Sequence, residues 1–395
     1  MSSTSSASRI RVLLFLHSFG PGGVERVALR LAGAWGDAGH DVRILMGRNE
    51  GPERSVAPHN VAYDFAPPHP LARPFRTLWM VWQLIAAVRR HRPDVLFCAG
   101  NTYTIVVALV RLLLRSECPP IVCKLSNSLD RRDLPAPGRL GYRIWLRLHP
   151  LFIEHFIGLS EPMRYEIERF LAVSSERVSI IPNPVLTNGD MNELSGPWTN
   201  DGSDGRRFVA VGRLVRQKNY RLLLHAFARI ARSNDRLLIA GNGPERKRLT
   251  RIATELGVID LVDLPGHELS VASLLKSADV FVTSSNYEGM PGAVVEALAA
   301  GMPIVATRSS RCLCYLLRYG KLGQLVPIRD VERLSEALFN APAREDLPIY
   351  KMRSTAGLYT IERSANLYLG VLLAAVSGQS RSSGWSDLDS LAEAA

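Results

Sequence analysis

Short apolar, β-branched runs alternate along this chain with longer stretches of helix-forming residues. That alternation predicts a parallel α/β architecture in place of hairpins or bundles. In the first half the strand-like runs are Ile10 to Leu16, Asp41 to Met46, Asp94 to Ala99, Ile121 to Leu125, His155 to Leu159 and Val178 to Pro182. In the second half they are Phe208 to Val211, Leu237 to Ala240, Val262 to Leu264, Asp279 to Thr283 and Pro303 to Thr307. Between the halves, Thr187 to Gly205 is polar and rich in Gly, Asn and Asp, the best domain boundary in the chain. The expected domains are therefore 1–186 and 207–360 with 187–206 as a linker, and 377–395 as a small, polar, disordered tail.

The clearest single unit runs from Asp279 to Thr307. Its Ser284 to Gly289 turn precedes Pro291 at the first helical turn, Ala293 to Ala300 is helix-forming, Gly301 fits just past the helix end, and a strand resumes at Pro303. In such βαβ units ligands sit beyond the carboxyl ends of the strands, where a helix N-terminus offers free N–H groups to an anion. Glu288 stands at that place, with Glu296 about two helical turns on. Two carboxylates beside an anion-binding helix start make sense if they accept hydrogen bonds from hydroxyls. Taken alone, the spacing fits better a helix-capping Glu288 and a solvated Glu296.

Further strand-to-helix turns carry glycine. Gly20, Gly22 and Gly23 follow the first strand, and their N–H groups can approach a phosphate or an acceptor oxygen closely; a mere tight connection is the plain alternative. No Lys-Ser/Thr follows as in a Walker loop, and the G-x-G-x-x-G order of dinucleotide sites is absent. The Gly241-Asn-Gly243 and Pro265-Gly266-His267 turns repeat the theme.

A length of 395 residues suggests two cores, and 47% hydrophobic with 22% charged residues is globular composition. Five cysteines lack metal-type spacing and read as reduced thiols of a cytoplasmic protein. The polar start, Met1 to Ser8, has no apolar core and is expected to be no signal peptide, and the longest apolar run, Thr104 to Leu114, is too short to span a bilayer. Net charge is +11, and up to Ile180 there are 23 Lys or Arg against 15 Asp or Glu. The basic excess carries no nucleic-acid motif. It is interleaved with tryptophan and leucine on two amphipathic stretches, Leu71 to Arg92 (Phe75, Leu78, Trp82, Ile85) and Leu140 to Phe156 (Tyr142, Trp145, Leu148, Phe152). These predict docking of the first domain on an anionic membrane, peripherally on the inner face, although each stripe fits a core-facing helix equally well.

The wording EGMPGAVVEALAAGMPIVAT resembles the E-x7-E signature of retaining glycosyltransferases of family 4, and the pattern of that family extends to about residue 370. The resemblance implies the GT-B fold, two Rossmann-like α/β/α domains with parallel sheets facing a deep cleft, the first binding the acceptor and the second the nucleotide sugar. It implies that 361–376 closes the second domain by crossing back to the first. Arg213 and Lys218 match, residue for residue, the two cations that grip the donor diphosphate. Glu288 then holds hydroxyls of the donor sugar and Glu296 the ribose, while the turn Gly289-Met290-Pro291-Gly292, through the N–H groups of its residues other than the proline, and the Gly22-Gly23 turn complete the anion site. Gly241, Gly243, Gly266 and His267 line the nucleoside pocket. The family's histidine over the transferred sugar is replaced by Ser126 and Asn127, and Asn127 or His17 can substitute for it.

No cofactor is expected beyond a UDP- or GDP-sugar as substrate. No metal is expected either, because Arg213 and Lys218 supply the charge and the only D-x-D, Asp387 to Asp389, lies in the tail. Retaining transfer on one face, with the leaving phosphate oxygen taking the acceptor proton, needs no named general base. Tyr319 to Pro327 fits the subgroup that builds bacterial surface polysaccharides, so the acceptor is expected to be a glycan or lipid-linked glycan in exopolysaccharide, lipopolysaccharide or capsule assembly. The rival readings are a nucleotide-sugar epimerase, which would turn over donor without acceptor, and a non-catalytic nucleotide- or glycan-binding protein, which would have shed Arg213, Lys218 or Glu288.

Overall fold

The computed structural model describes residues 9–20, 22–67, 76–126, 129–130, 135–198, 205–266 and 270–378. The chain divides into two units, the first extending to Pro184 and taking up the segment from Ile361, the second running from Val185 to Thr360.

The first unit is built on β1 (Arg11–Leu16), α1 (Gly23–Asp37), β2 (Asp41–Met46), β3 (Ala62–Phe65), α2 (Arg76–His91), β4 (Val95–Cys98) and α3 (Thr104–Leu114). It continues through β5 (Ile121–Lys124), α4 (Ala136–Leu148), β6 (His155–Gly158), α5 (Glu161–Leu171) and β7 (Val178–Ile180). The strands form one sheet in the order β3-β2-β1-β4-β5-β6-β7, with parallel pairing throughout. β4, β5 and β6 are buried along their whole length, which is why their sequences are continuous runs and do not alternate. β3 is the strand of this unit that the pattern did not reveal: Ala62-Tyr-Asp-Phe65 is an edge strand whose polar positions need no partner sheet.

The second unit holds α6 (Asn188–Leu194), β8 (Arg207–Val211), α7 (Tyr220–Ala228), β9 (Arg236–Ala240), α8 (Arg246–Glu255), β10 (Val262–Gly266) and α9 (Val271–Ser277). After these come β11 (Val280–Thr283), α10 (Gly292–Ala300), β12 (Ile304–Thr307), α11 (Arg311–Leu316), β13 (Gln324–Val326), α12 (Val331–Phe339) and α13 (Ile349–Gly357). Its parallel sheet has the order β10-β9-β8-β11-β12-β13.

The stretch read as a linker holds α6. Thr187 starts it with a capping box, its hydroxyl accepting the Asp190 N–H and the Asp190 carboxylate accepting the Thr187 N–H. α6 packs on α9 and α10, so the polar wording Thr-Asn-Gly-Asp marks a helix start inside the second unit. Arg344 stacks on Trp198 at 4.3 Å and fixes the far end of the same stretch. The final helix, α14 (Ile361–Val376), packs on α1, β4 and β5 of the first unit. There Trp35 Nε1 donates to the Ala365 carbonyl at 3.1 Å, and the Tyr368 ring meets Phe97 edge-on. Most of the tail read as disordered lies outside the described residues.

Candidate active site

In the second unit the strand order reverses between β8 and β11. That is where an open α/β sheet leaves a crevice at its carboxyl edge. The β8–α7 and β11–α10 loops flank this point and are stitched together. Ser284 Oγ donates to the carbonyl of Lys218 at 2.9 Å, the Asn286 N–H to the carbonyl of Gln217 at 2.8 Å, and Asn219 Nδ2 to Asn286 Oδ1 at 3.1 Å.

At the centre of the stitch Lys218 Nζ meets Glu288 Oε1 at 2.6 Å, and Ser285 Oγ donates to the same oxygen, also at 2.6 Å. The pair is half-enclosed, with side-chain exposures of 20% for Lys218 and 8% for Glu288. The loop after β12 holds it from the other side: the Ser309 carbonyl accepts the Glu288 N–H, and Ser310 Oγ donates to the Gly289 carbonyl. Thr307 Oγ1 donates to the Ser285 carbonyl at 2.7 Å. Beneath lies Tyr220, its phenol pushed up by burial and then by the charge of Glu288.

Glu288 is thus an ion-pair partner and no helix cap. α10 begins at Gly292 with Pro291 as the residue before it, one position later than the sequence suggested, and no side chain caps it. The Val294 N–H is taken by the Pro291 carbonyl, while no acceptor among the described residues takes the N–H groups of Gly292 and Ala293, so the GMPG turn presents an open, partly positive helix start beside Glu288. Glu296 lies in the second turn of α10, half-buried, with a partner of its own. Arg213 is exposed on the β8–α7 loop, and no ion pair or hydrogen bond holds its side chain among the described residues. The sequence assigned Lys218 to a diphosphate and Glu288 to a sugar; the structure joins the two residues directly.

Gly241 and Gly243 have a steric reason for being glycine. A β-carbon on Gly241 would lie 2.0 Å from the Gly212 carbonyl oxygen, and one on Gly243 would lie 2.3 Å from that of Leu214. The β8 and β9 loops continue the parallel pairing there, Gly212 N–H to the Ala240 carbonyl and Leu214 N–H to that of Asn242. The Gly241 N–H is itself taken by the Gly266 carbonyl. These turns therefore shape the crevice through backbone packing. His267 lies outside the described residues.

In the first unit Gly22 precedes α1 as an uncapped N-terminus and Gly23 opens the helix, exposed. The His17 ring lies 5.0 Å from that of Tyr103. The Ser126 N–H donates to Asn101 Oδ1 at 2.7 Å, while Ser126 Oγ is buried with no partner among the described residues. These positions follow β1 and β5 at the carboxyl edge of the sheet; Asn127 lies outside the described residues. Sequence reasoning passed over Lys124 and Glu25 at the same edge; a lysine closing a strand that is otherwise apolar was the available signal.

Two three-layer parallel α/β units of this kind define the GT-B architecture. Residues 199–347 match the family described as glycosyl transferases group 1, and residues 21–188 match glycosyltransferase family 4. The chain belongs to the group 1, family 4 glycosyltransferases. It is similar to an uncharacterised glycosyltransferase of Methanocaldococcus jannaschii, 25% identical over 60% of this chain and 61% of that protein. It is also similar to the lipopolysaccharide core biosynthesis glycosyltransferase LpsE of Rhizobium meliloti, 34% identical over 34% of this chain and 39% of that protein. These matches span less than two thirds of either relative's length. Among solved structures, Anabaena HepE in complex with UDP and glucose superimposes with a TM-score of 0.70 at 17% identity, covering 93% of this chain and 100% of that one, a likeness of fold.

Proposed function

We propose that this protein is a retaining glycosyltransferase that moves a sugar from a UDP- or GDP-sugar to a glycan or lipid-linked acceptor in bacterial surface-polysaccharide assembly. The observation that carries the reading is the Lys218–Glu288 pair at the β8/β11 reversal, beside an uncapped helix start and an exposed Arg213 that no described residue pairs. A nucleoside diphosphate leaving a sugar develops negative charge, which Arg213 and the free amides of α10 are placed to neutralise. With Oε1 of Glu288 held by Lys218 and Ser285, its second oxygen is left to accept from donor hydroxyls. The UDP found in the HepE structure and the lipopolysaccharide role in the name LpsE support the donor class and pathway. Charge neutralisation by these groups requires no metal.

The test is thermal stabilisation by UDP-, GDP- and ADP-sugars with and without EDTA. One nucleotide sugar should stabilise selectively, by roughly 3 kcal/mol at a hundredfold excess over Kd, and EDTA should change nothing. Arg213→Ala should weaken nucleoside diphosphate binding at least about tenfold, the loss of one charge-assisted contact, without lowering the melting temperature, since the side chain supports nothing else. Unchanged affinity in calorimetry would remove Arg213 from the site.

Membrane docking is part of the proposal, through a face that differs from the expected one. In α4 the exposed apolar residues are Leu140, Ile144 and Leu148, continued by Leu151, whereas Trp145 is half-buried and Leu146 buried. Arg139, Arg143 and Arg147 lie beside this stripe, exposed. In α2, Ile85 belongs to the core and Leu78 and Trp82 face outward; Phe75 lies outside the described residues. No helix of the described residues is long and apolar enough to cross a membrane. Leu140→Glu with Ile144→Glu should abolish co-sedimentation with phosphatidylglycerol vesicles while leaving nucleotide binding intact. Retained sedimentation would refute docking through α4.

A further inference from the structure

The connection from β2 to β3 contains a short 3₁₀ turn, Pro52–Val56, whose burial is inverted. Val56 stands 71% exposed, and the buried side chain of this turn is Glu53. A carboxylate turned inward while a valine faces water needs partners that offset its desolvation.

Those partners are the two shoulders of the glycine turn after β1. On the near side the Glu53 N–H donates to the Phe19 carbonyl at 3.1 Å. On the far side Glu53 Oε1 accepts from Arg26 Nη2 at 2.7 Å and from Arg26 Nε at 3.2 Å. Between Phe19 and Arg26 lies only the segment Gly20 to Glu25, so one residue grips both ends of the turn.

Glu53 itself sits on a fixed seat. The Phe19 N–H donates to the Glu50 carbonyl at 2.9 Å, and a β-carbon on Gly51 would lie 2.0 Å from the Phe19 carbonyl oxygen. The Phe19 ring is buried 5.7 Å from that of Tyr63 on β3. Further along the connection, Asn60 Nδ2 donates to the Gly33 carbonyl of α1 at 2.8 Å. A second support of the turn is independent of these contacts: Tyr103 Oη donates to Glu25 Oε1 at 2.9 Å, and Glu25 Oε2 lies beneath Gly22.

The turn follows β1, which with β4 forms the point where the strand order of this sheet reverses, the place of a ligand crevice at the carboxyl edge. We propose that Glu53 is a positioning residue for the Gly22–Gly23 turn, bracing it from both sides so that its N–H groups meet a phosphate or an acceptor oxygen in a fixed geometry. This deepens the proposed transfer and rests on that reading.

Positioning and mere stabilisation make different predictions here. Arg26 is 48% exposed, and an ion pair with one such partner adds little to global stability. Replacing the buried carboxylate by an apolar side chain of similar volume is close to neutral for the fold as a whole. The effect of Glu53→Met is therefore local to the turn.

The experiment is hydrogen exchange of the full chain, read on a peptide spanning 17–30 with one over β2 as reference, beside urea denaturation. In Glu53→Met, exchange of the turn should rise about tenfold, the loss of one charge-assisted contact, with the β2 peptide and the urea midpoint unchanged. Glu53→Gln keeps an acceptor oxygen and should recover most of the protection. Arg26→Met should match Glu53→Met, and the double variant should be no worse than either, because both remove the same joint; Arg26→Met also serves if Glu53→Met fails to fold. Arg54→Ala is the control: its guanidinium donates to the Asn49 carbonyl within the same connection and touches neither shoulder, so the turn should exchange as in the wild type. In the transfer assay Glu53→Met should lower kcat/KM at least about tenfold through misplacement of the turn. Unchanged exchange in Glu53→Met, additive effects in the double variant, equal loosening by Arg54→Ala, or a loosened turn with wild-type kcat/KM would each overturn the proposal. A wild-type protein that transfers no sugar would fail the transfer reading alone, since the exchange result decides the brace without substrate.

Discussion

Glu288→Ala should lower turnover of the matched nucleotide sugar by a factor on the order of 10² to 10³, with a smaller loss in Glu288→Gln. The alanine variant removes the acceptor of both Lys218 Nζ and Ser285 Oγ and leaves an ammonium that is only 20% exposed without its counter-charge. An orphaned group of this kind costs about 1 to 3 kcal/mol of stability. The fold should tolerate that, because the loops are also joined through Ser284, Asn286 and Thr307. Glutamine keeps an oxygen for Lys218 and Ser285 and so restores most of the stability, but it presents an amide to the donor hydroxyls. Stability recovered without activity is therefore the expected pattern, read by urea denaturation beside initial rates. Near wild-type turnover in Glu288→Ala would take Glu288 out of the mechanism and leave Lys218 as its only reason to be there.

The second large effect is on folding. Gly241→Ala should destabilise the protein by at least about 3 kcal/mol, adding the strain of a positive φ to an overlap with backbone that cannot move aside. Gly241 has φ +146°, and its new β-carbon would meet the Gly212 carbonyl oxygen at 2.0 Å. Gly257 provides the control, because it has φ +69° with nothing within 4 Å. Gly257→Ala should cost only about 1 kcal/mol, the strain alone. Equal costs at the two positions would mean that the β8 and β9 loops yield, and the backbone account of the crevice would fail with them.

Much of the fold was legible because parallel strands buried on both faces must be continuous apolar runs, and continuous runs are visible without a partner. β1, β4, β5, β11 and β12 follow this rule. Where polarity was the signal, the sequence misled. The polar wording after Thr187 meant a capped helix, and the edge strand β3 showed no run at all. On α4 the exposed stripe is Leu140, Ile144 and Leu148 and not the tryptophan-bearing one, since helical spacing gives a face but not the direction it points.

By itself the sequence determined the two-unit α/β architecture and the family, and it singled out Arg213, Lys218 and Glu288 as candidates. Only the tertiary structure decided that Lys218 and Glu288 form one pair, that Gly241 and Gly243 are glycine because a neighbouring loop's carbonyls press on them, and that Lys124 is buried with its amine on Asn183. The physical reason is common to all three. Each joins loops from different strands of one sheet, and the distance between those loops is set by strand order, which no local pattern of residues encodes.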